Sequence, residues 1–176
     1  MPIQNTSIVW KINIFLQLLS LLLNIIGYCT NYIGRFGDFT HLGLWEMCEQ
    51  KSDICVSLKL AKQFADISMV WAYASRVFLG ICLTGQSLVI LLTLSALVIK
   101  TNKFVAWCTI GLAFFSVLFG AIGIAVAAGE IKRLYVPKQF SGFFSVGWSF
   151  DLVISSLVMF LVAGILSFVE TRRPAT

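Results

Sequence analysis

The chain has 176 residues, of which 59% are hydrophobic and 12% charged, and its mean hydropathy is +0.91. A soluble domain of this length could not bury so much apolar surface, so the composition excludes a water-soluble fold and indicates a membrane protein. The formal net charge is +5, but the 13 basic residues are scattered among loops and helix ends, with no stripe interleaved with aromatic residues. That distribution excludes a nucleic-acid-binding surface.

Four apolar stretches are long enough to cross a bilayer, which takes about 20 mostly apolar residues in a helix. The helices are predicted at about 12–33, 70–99, 104–128 and 143–169, with loops at about 34–66 and 129–142. The chain is therefore predicted to be one membrane domain, 1–176, with the fold class of an all-α transmembrane four-helix bundle. Gln17 and Asn24 interrupt the first stretch, and a cleaved signal peptide over 1–29 is the alternative for it. That stretch ends without a small-x-small cleavage pattern.

The first loop has the pattern of a small antiparallel β-sheet. Apolar and aromatic residues mix with glycines over 32–39, and residues 54–58 alternate between apolar and small or polar side chains. Residues 58–67 have the apolar spacing of a short amphipathic helix leading into the second span. This loop is thus predicted to form a sheet that covers one end of the bundle.

The cysteines bear on the orientation of the chain in the membrane. Cys48 and Cys55 lie in polar sequence, whereas the other three lie in or beside apolar spans, where a thiol acts as a small hydrophobic group: Cys29, Cys82 and Cys108. Basic residues flank the spans on both sides, so the positive-inside rule does not decide the orientation. Disulfides persist only outside the cytosol, which favours an extracellular first loop and two cytoplasmic termini. The sequon Asn5-Thr6-Ser7 argues for the reverse, but it is too close to the first span for modification to be expected.

Six residues carry a resemblance to a known family: Gly43, Leu44, Trp45, Cys48, Cys55 and Arg76. The order Gly-Leu-Trp, Cys, Cys, followed by an arginine among small and apolar residues near the start of the second span, resembles the signature of the claudin superfamily. That superfamily includes claudins and the peripheral myelin, epithelial membrane and lens-fibre membrane proteins. The aromatic run around Trp148-Ser149 resembles the start of the last helix in the lens-fibre and epithelial membrane branch.

The resemblance implies a structural disulfide between Cys48 and Cys55 and a membrane-surface anchor at Trp45. It also implies that Arg76 binds loop carbonyls and links the sheet to the bundle. The family acts by contact in the plasma membrane, so the resemblance implies no enzymatic activity. Three roles stay open: a protein of cell–cell adhesion or membrane organisation, a claudin of the tight junction that forms a paracellular barrier or channel, and an auxiliary subunit of an ion channel or receptor.

Two departures disfavour the claudin role. Tyr32 stands where the family has its first tryptophan. The chain stops at Pro174-Ala175-Thr176, whereas junctional claudins usually end in a Tyr-Val ligand for PDZ scaffolds.

Two further features of the spans indicate contacts between helices. Ala121, Ala125 and Gly129 recur at four-residue spacing in the third span, which favours close helix packing within one subunit or in a homo-oligomer. Asp151 lies about eight residues into the predicted last span, where a carboxylate is costly unless paired or hydrated. Either the last helix starts later, or Asp151 contacts Arg76, Gln86 or a partner protein's helix.

Catalytic and metal chemistry have little support in the sequence. His41 is the only histidine, and no nucleophile motif, metal-ligand spacing or phosphate-binding loop accompanies it. The sequence therefore predicts no catalytic residue, metal or cofactor. The predicted partners are the lipid bilayer and either a second copy of the chain or another membrane protein.

Overall fold

The computed structural model of the chain describes residues 8–30, 32–36, 40–49, 54–57, 70–98, 103–135 and 144–172. Its long helices are α1 (Ile8–Cys29), α2 (Val70–Val98), α3 (Lys103–Tyr135) and α4 (Trp148–Arg172). Each contains an apolar segment long enough to span a membrane, and the chain is a four-span integral membrane protein. Even α1, with 22 residues, extends about 33 Å at about 1.5 Å per residue, which exceeds the roughly 30 Å hydrocarbon core.

A small sheet caps one end of the bundle. Its strands are β1 (Gly34–Phe36), β2 (Thr40–Leu42), β3 (Glu46–Glu49), β4 (Ile54–Ser57) and β5 (Phe144–Val146). They are hydrogen-bonded in the order β4-β3-β2-β1-β5, and every neighbouring pair is antiparallel. The predicted fold class, a transmembrane four-helix bundle with a small antiparallel sheet in the first loop, is confirmed. The short helix predicted over 58–67 lies outside the described residues.

The start of α4 differs from the sequence-based expectation. Residues 144–146 pair with β1 as a fifth strand, and the helix begins at Trp148 instead of near 143. Between strand and helix, the Gly147 amide donates to the Ile33 carbonyl at 2.9 Å. A side chain at Gly147 would collide with the Tyr32 carbonyl, so only glycine permits this approach.

The other helix bounds shift because hydropathy marks the membrane-embedded part of a helix and not its full hydrogen-bonded length. The first helix begins at Ile8, four residues before the predicted start, and the third continues to Tyr135, beyond the predicted 128. The chain leaving α3 therefore begins its connection to β5 later than expected.

The helices pair in a definite pattern. The most extensive helix contacts are those of α2 with α3 and of α1 with α4, followed by α3 with α4. Glycine allows the close approach of α1 to α4, because a Cβ on Gly27 would lie 2.6 Å from Val153 Cγ2 and 2.9 Å from the Ser149 carbonyl.

The sheet and the bundle share one hydrophobic core. The sheet contributes Ile33, Leu42 and Leu44, and the latter two side chains are completely buried. They pack with residues of the helices: Trp71, Ala72, Leu79, Cys82, Ile124, Ala127, Val153 and Leu157. The sheet is therefore part of the folded bundle and not an independent loop on its surface.

Candidate functional site at the junction of sheet and bundle

Cys48 and Cys55 close the hairpin at the outer edge of the sheet. They stand opposite each other in the register of β3 and β4 and form a disulfide with a Cα–Cα distance of 4.1 Å. Cys48 is buried and Cys55 exposed, so the bond joins the interior of the sheet to its edge strand. Glu46 lies near both sulfur atoms, but sulfur in a disulfide is not the thiolate that binds a metal ion. The arrangement is therefore a structural crosslink.

The Gly43-Leu44-Trp45 segment is the turn between β2 and β3. The Gly43 amide donates to the Glu46 carbonyl at 2.9 Å, which closes the turn. Within it, Leu44 points into the core with no exposed surface, while Trp45 is 40% exposed. Because these neighbouring side chains point in opposite directions, the turn places Leu44 in the core and Trp45 at the surface.

Trp45 covers the end of α1. Its indole Nε1 donates to the Tyr28 carbonyl at 3.0 Å, and its ring meets the Tyr28 ring edge-on with 5.4 Å between centroids. The last carbonyls of a helix lack partners within the helix, so the indole satisfies a group that would otherwise need water. Trp45 thus acts as a C-terminal cap supplied by the sheet.

Arg76 in the second turn of α2 holds the same segment from the other side. Its Nε donates to the Leu44 carbonyl at 2.8 Å, and its Nη2 donates to the same oxygen at 2.5 Å. The guanidinium lies 4.6 Å from the centroid of the Trp45 ring and 5.0 Å from that of Tyr73, within the range of cation–π attraction. We call the group Tyr28, Leu44, Trp45, Tyr73 and Arg76 the Arg76 clamp.

An aromatic stack forms a second link between sheet and helices. The Tyr32 ring stacks on His41 with centroids 4.1 Å apart and planes 6° apart, and on Trp148 at 5.5 Å. His41 Nδ1 is buried and has no hydrogen-bond partner among the residues that the structure describes. No pattern in the sequence predicts this stack, because Trp148 lies more than a hundred residues from the other two members.

A buried line of polar residues in α1 is the main feature that sequence reasoning missed. Its members lie four, three and four residues apart on one helix face and are at most 5% exposed: Asn13, Gln17, Ser20 and Asn24. We call this line, with its partners on α2 and α4, the polar seam. The 4-3-4 spacing of polar residues was a signal that could have found it, because it places all four on one face.

The polar seam joins three helices. Towards α4, Asn13 Nδ2 donates to Ser167 Oγ at 2.8 Å and Ser20 Oγ donates to the Ser156 carbonyl at 2.9 Å. Towards α2, Asn24 Nδ2 donates to Gln86 Oε1 at 3.0 Å, while Gln86 Nε2 donates back to Ser20 Oγ at 3.4 Å. Polar side chains that find partners across helices hold bundles together where the hydrophobic effect cannot.

Asp151 makes neither of the contacts within the bundle that the sequence allowed. It is exposed in the first turn of α4, where the helix dipole favours a negative charge. Arg76 is instead hydrogen-bonded to Leu44, and Gln86 to Asn24 and Ser20. The late start of α4 is the reason that Asp151 lies near the end of the span.

The small residues of α3 divide between two faces. Gly120 and Gly123 are buried, and a Cβ on Gly120 would lie 2.5 Å from Leu157 Cδ2. Ala121, Ala125 and Gly129 are exposed on the outside of the bundle. Packing inside the subunit therefore uses the two glycines, and the stripe at four-residue spacing faces outward.

No model of a known protein family matches the chain, and no curated protein matches it in sequence. The fold and the junction define its class as a four-span integral membrane protein with a disulfide-closed sheet fixed to one end of the bundle.

Proposed function

We propose that this protein acts by contact with other proteins in the plasma membrane, in cell–cell adhesion or membrane organisation, and that it is not an enzyme. The observation that carries the proposal is the Arg76 clamp. It binds the turn of the sheet through two hydrogen bonds to Leu44 and ring contacts to Trp45 and Tyr73. A sheet fixed in this way is a preorganised surface, which lowers the entropic cost of binding a partner.

The residues of the clamp and disulfide are those that resemble the claudin superfamily, which supports the same conclusion. By that resemblance, the sheet faces the outside of the cell and both termini face the cytoplasm. The disulfide between Cys48 and Cys55 supports this orientation, because such bonds persist in oxidising compartments.

Two exposed features supply candidate contacts for a partner within the membrane. The outward stripe Ala121, Ala125 and Gly129 would let another helix approach closely. Asp151, exposed at the sheet end of α4, could pair with a basic residue of that partner. The second feature favours an auxiliary subunit of a channel or receptor as the alternative function.

A native pull-down in mild detergent, followed by mass spectrometry, tests the proposal. We expect the intact chain to capture a specific membrane protein or a second copy of itself, and Ala125→Trp to weaken that capture. Val158→Trp is the matched control, because Val158 is 55% exposed on a different helix. Capture of no protein by the wild-type chain, or equal loss in both variants, would contradict the proposed contact.

A further inference from the structure

A cavity lies at the end of the bundle opposite to the sheet. It has a volume of about 230 Å³ and is lined by residues of all four helices. Its lining includes Asn13 of α1, Thr93 of α2 and Thr109 of α3, which are nine-tenths or more buried. The volume is well above the roughly 10–15 Å³ that a single water needs. Because cavities lined only by apolar side chains stay dry, the polar groups of the lining decide whether water occupies this one.

The lining offers water both acceptors and a donor. Thr93, Thr109 and Thr171 each donate to a carbonyl of their own helix at 2.8–2.9 Å, so their oxygen atoms retain lone pairs that can accept from water. Asn13 Nδ2 donates one N–H to Ser167 Oγ at 2.8 Å, and an amide nitrogen carries a second N–H. A buried water makes about three hydrogen bonds, and these groups can supply them from four helices.

A buried amide beside the cavity supplies an independent reason for water there. Gln17 is 1% exposed, and its Nε2 donates at 3.3 Å to Oδ1 of Asn13, a residue of the lining. Its Oε1 is also buried and has no hydrogen-bond partner among the residues that the structure describes. An unsatisfied carbonyl oxygen inside a membrane-spanning bundle is strongly destabilising, since lipid has no group that donates to it. A water that reaches Gln17 from the cavity supplies that donor.

The cavity begins at the depth of the lipid headgroups. Asn13, Thr93 and Thr109 lie five or six residues from the nearest ends of their helices. That separation is about 7–9 Å at about 1.5 Å per residue. The headgroup layers add roughly 5–8 Å on each side of the hydrocarbon core, so water can enter the cavity without first crossing hydrocarbon.

An apolar layer lies beneath the cavity, towards the middle of the membrane. Val89 and Ala113 are one helix turn deeper than the threonines of α2 and α3, and they pack with Phe160. All three are at most 5% exposed. At the other end of the bundle, Leu42 and Leu44 of the sheet are completely buried in the larger core. Apolar side chains therefore separate the cavity from the sheet end, which distinguishes a closed vestibule from a pore.

We propose that this cavity is a water-filled vestibule that hydrates the end of the polar seam formed by Asn13 and Gln17. The threonine oxygens and the Asn13 amide hold its water, and one water donates to Gln17 Oε1. The vestibule gives water and small polar solutes access to the interior of the bundle, from one side of the membrane, to the depth of Thr109.

Labelling of introduced cysteines measures this access. Thr109→Cys in lipid nanodiscs is treated with a small, permanently charged methanethiosulfonate, and peptide mass spectrometry locates the label. The native Cys108 is the matched control, because it is the next residue on α3 and is exposed on the outside of the bundle. A thiol reacts as the thiolate, which water favours and hydrocarbon does not.

The thiol introduced by Thr109→Cys should react at least tenfold faster than Cys108, although Thr109 is buried and Cys108 is exposed. Thr93→Cys gives the same comparison from the α2 wall and should also react faster than Cys108. If neither introduced thiol reacts faster than Cys108, the cavity excludes water and the proposal is wrong.

A filling variant locates the path of the reagent. Ala106 lines the cavity, so Ala106→Trp combined with Thr109→Cys should slow the labelling at least tenfold. Gly111→Trp combined with Thr109→Cys is the control, because nothing lies within 4 Å of a Cβ at Gly111, which is exposed on α3 and does not line the cavity. Equal labelling in the two double variants would place the water outside this cavity and refute the assignment.

Discussion

At the scale of single residues, Arg76 connects the sheet to the membrane helices through one carbonyl oxygen. Arg76→Ala would leave the Leu44 carbonyl without its two donors and remove the cation from the Trp45 ring. A hydrogen bond to a charged group contributes about 1.5–3 kcal/mol, so we expect a loss of stability of that order. Surface expression should fall through misfolding, and Trp45→Ala should do the same.

Val77→Ala is the control for the Arg76 clamp, since Val77 is the next residue on α2 and is 59% exposed. Arg76→Lys should recover expression only in part, because an ammonium group lacks the planar fork of a guanidinium. Normal folding and trafficking of both Arg76→Ala and Trp45→Ala would show that the clamp has no structural role.

The disulfide between Cys48 and Cys55 leads to a prediction about when a thiol reagent can label these cysteines. On intact cells, an impermeant maleimide should label Cys48 and Cys55 only after reduction, if the sheet faces outside as proposed. Closing a loop with a sequence separation of 7 contributes about 2–3 kcal/mol in the chain-entropy model, so Cys55→Ser should lower the unfolding temperature. Labelling of either cysteine in the mature protein without reduction would contradict the prediction.

Part of this residue-scale structure could be predicted from the sequence. The family resemblance carried by Gly43-Leu44-Trp45, the two cysteines and Arg76 implied a disulfide and an arginine that binds loop carbonyls. The roles of Tyr28 and Tyr73 were not predictable. Tyr28 acts through its backbone carbonyl and an edge-on ring contact, and Tyr73 acts through a ring in an ordinary apolar span. Every residue has a backbone carbonyl, so the pattern of side chains does not show which carbonyl will accept a hydrogen bond.

At the scale of elements, Gly147 determines how α4 leaves the sheet. Gly147→Ala would press a methyl group into the Tyr32 carbonyl, and overpacking of this kind costs about 1–3 kcal/mol. We expect a lower unfolding temperature in detergent. Gly111→Ala is the control, since nothing lies within 4 Å of a Cβ at Gly111, and alanine is favoured over glycine inside a helix by about 1 kcal/mol. Equal stability of the two variants would contradict this account.

Most of the helices could be predicted from hydropathy, and the exceptions have physical causes. The aromatic run at 143–150 is as apolar as a helix, so its first half was assigned to the span although it forms β5. Its pairing with β1 depends on a strand more than a hundred residues earlier, which local periodicity does not report. In α1, Gln17 and Asn24 were interpreted as interruptions of the apolar span, because hydropathy does not report their hydrogen bonds. Gln17 donates to Asn13 of the same helix, and Asn24 donates to Gln86 on α2.

At the scale of the whole molecule, the charges in the sequence of the first loop bear on the choice between a pore and a contact surface. The sequence from 31 to 68 contains four basic residues, Arg35, Lys51, Lys59 and Lys62. It contains five acidic ones, Asp38, Glu46, Glu49, Asp53 and Asp66. Mixed signs focus neither cations nor anions, so a charge-selective channel is disfavoured.

Expression in epithelial cells that lack claudins should therefore produce no continuous strands in freeze-fracture replicas and no charge-selective conductance. Lys59→Glu should leave paracellular permeability unchanged. Strands in the replicas, or an ion preference that reverses with Lys59→Glu, would favour the claudin role over the adhesion and subunit roles.

The polar seam has a consequence for the order in which the chain is assembled. Ser20 and its partner Ser156 are 136 residues apart. At about 5–20 residues per second, synthesis of the last helix therefore follows that of the first by roughly 7–27 seconds. During that time the Asn13 amide and the Ser20 hydroxyl face lipid or a chaperone, because their partners Ser167 and Ser156 on α4 do not yet exist. A chain truncated at residue 140 should therefore remain bound to membrane chaperones, and Asn13→Leu with Gln17→Leu should release it. Assembly of the bundle would then be completed only after the last span has been synthesised.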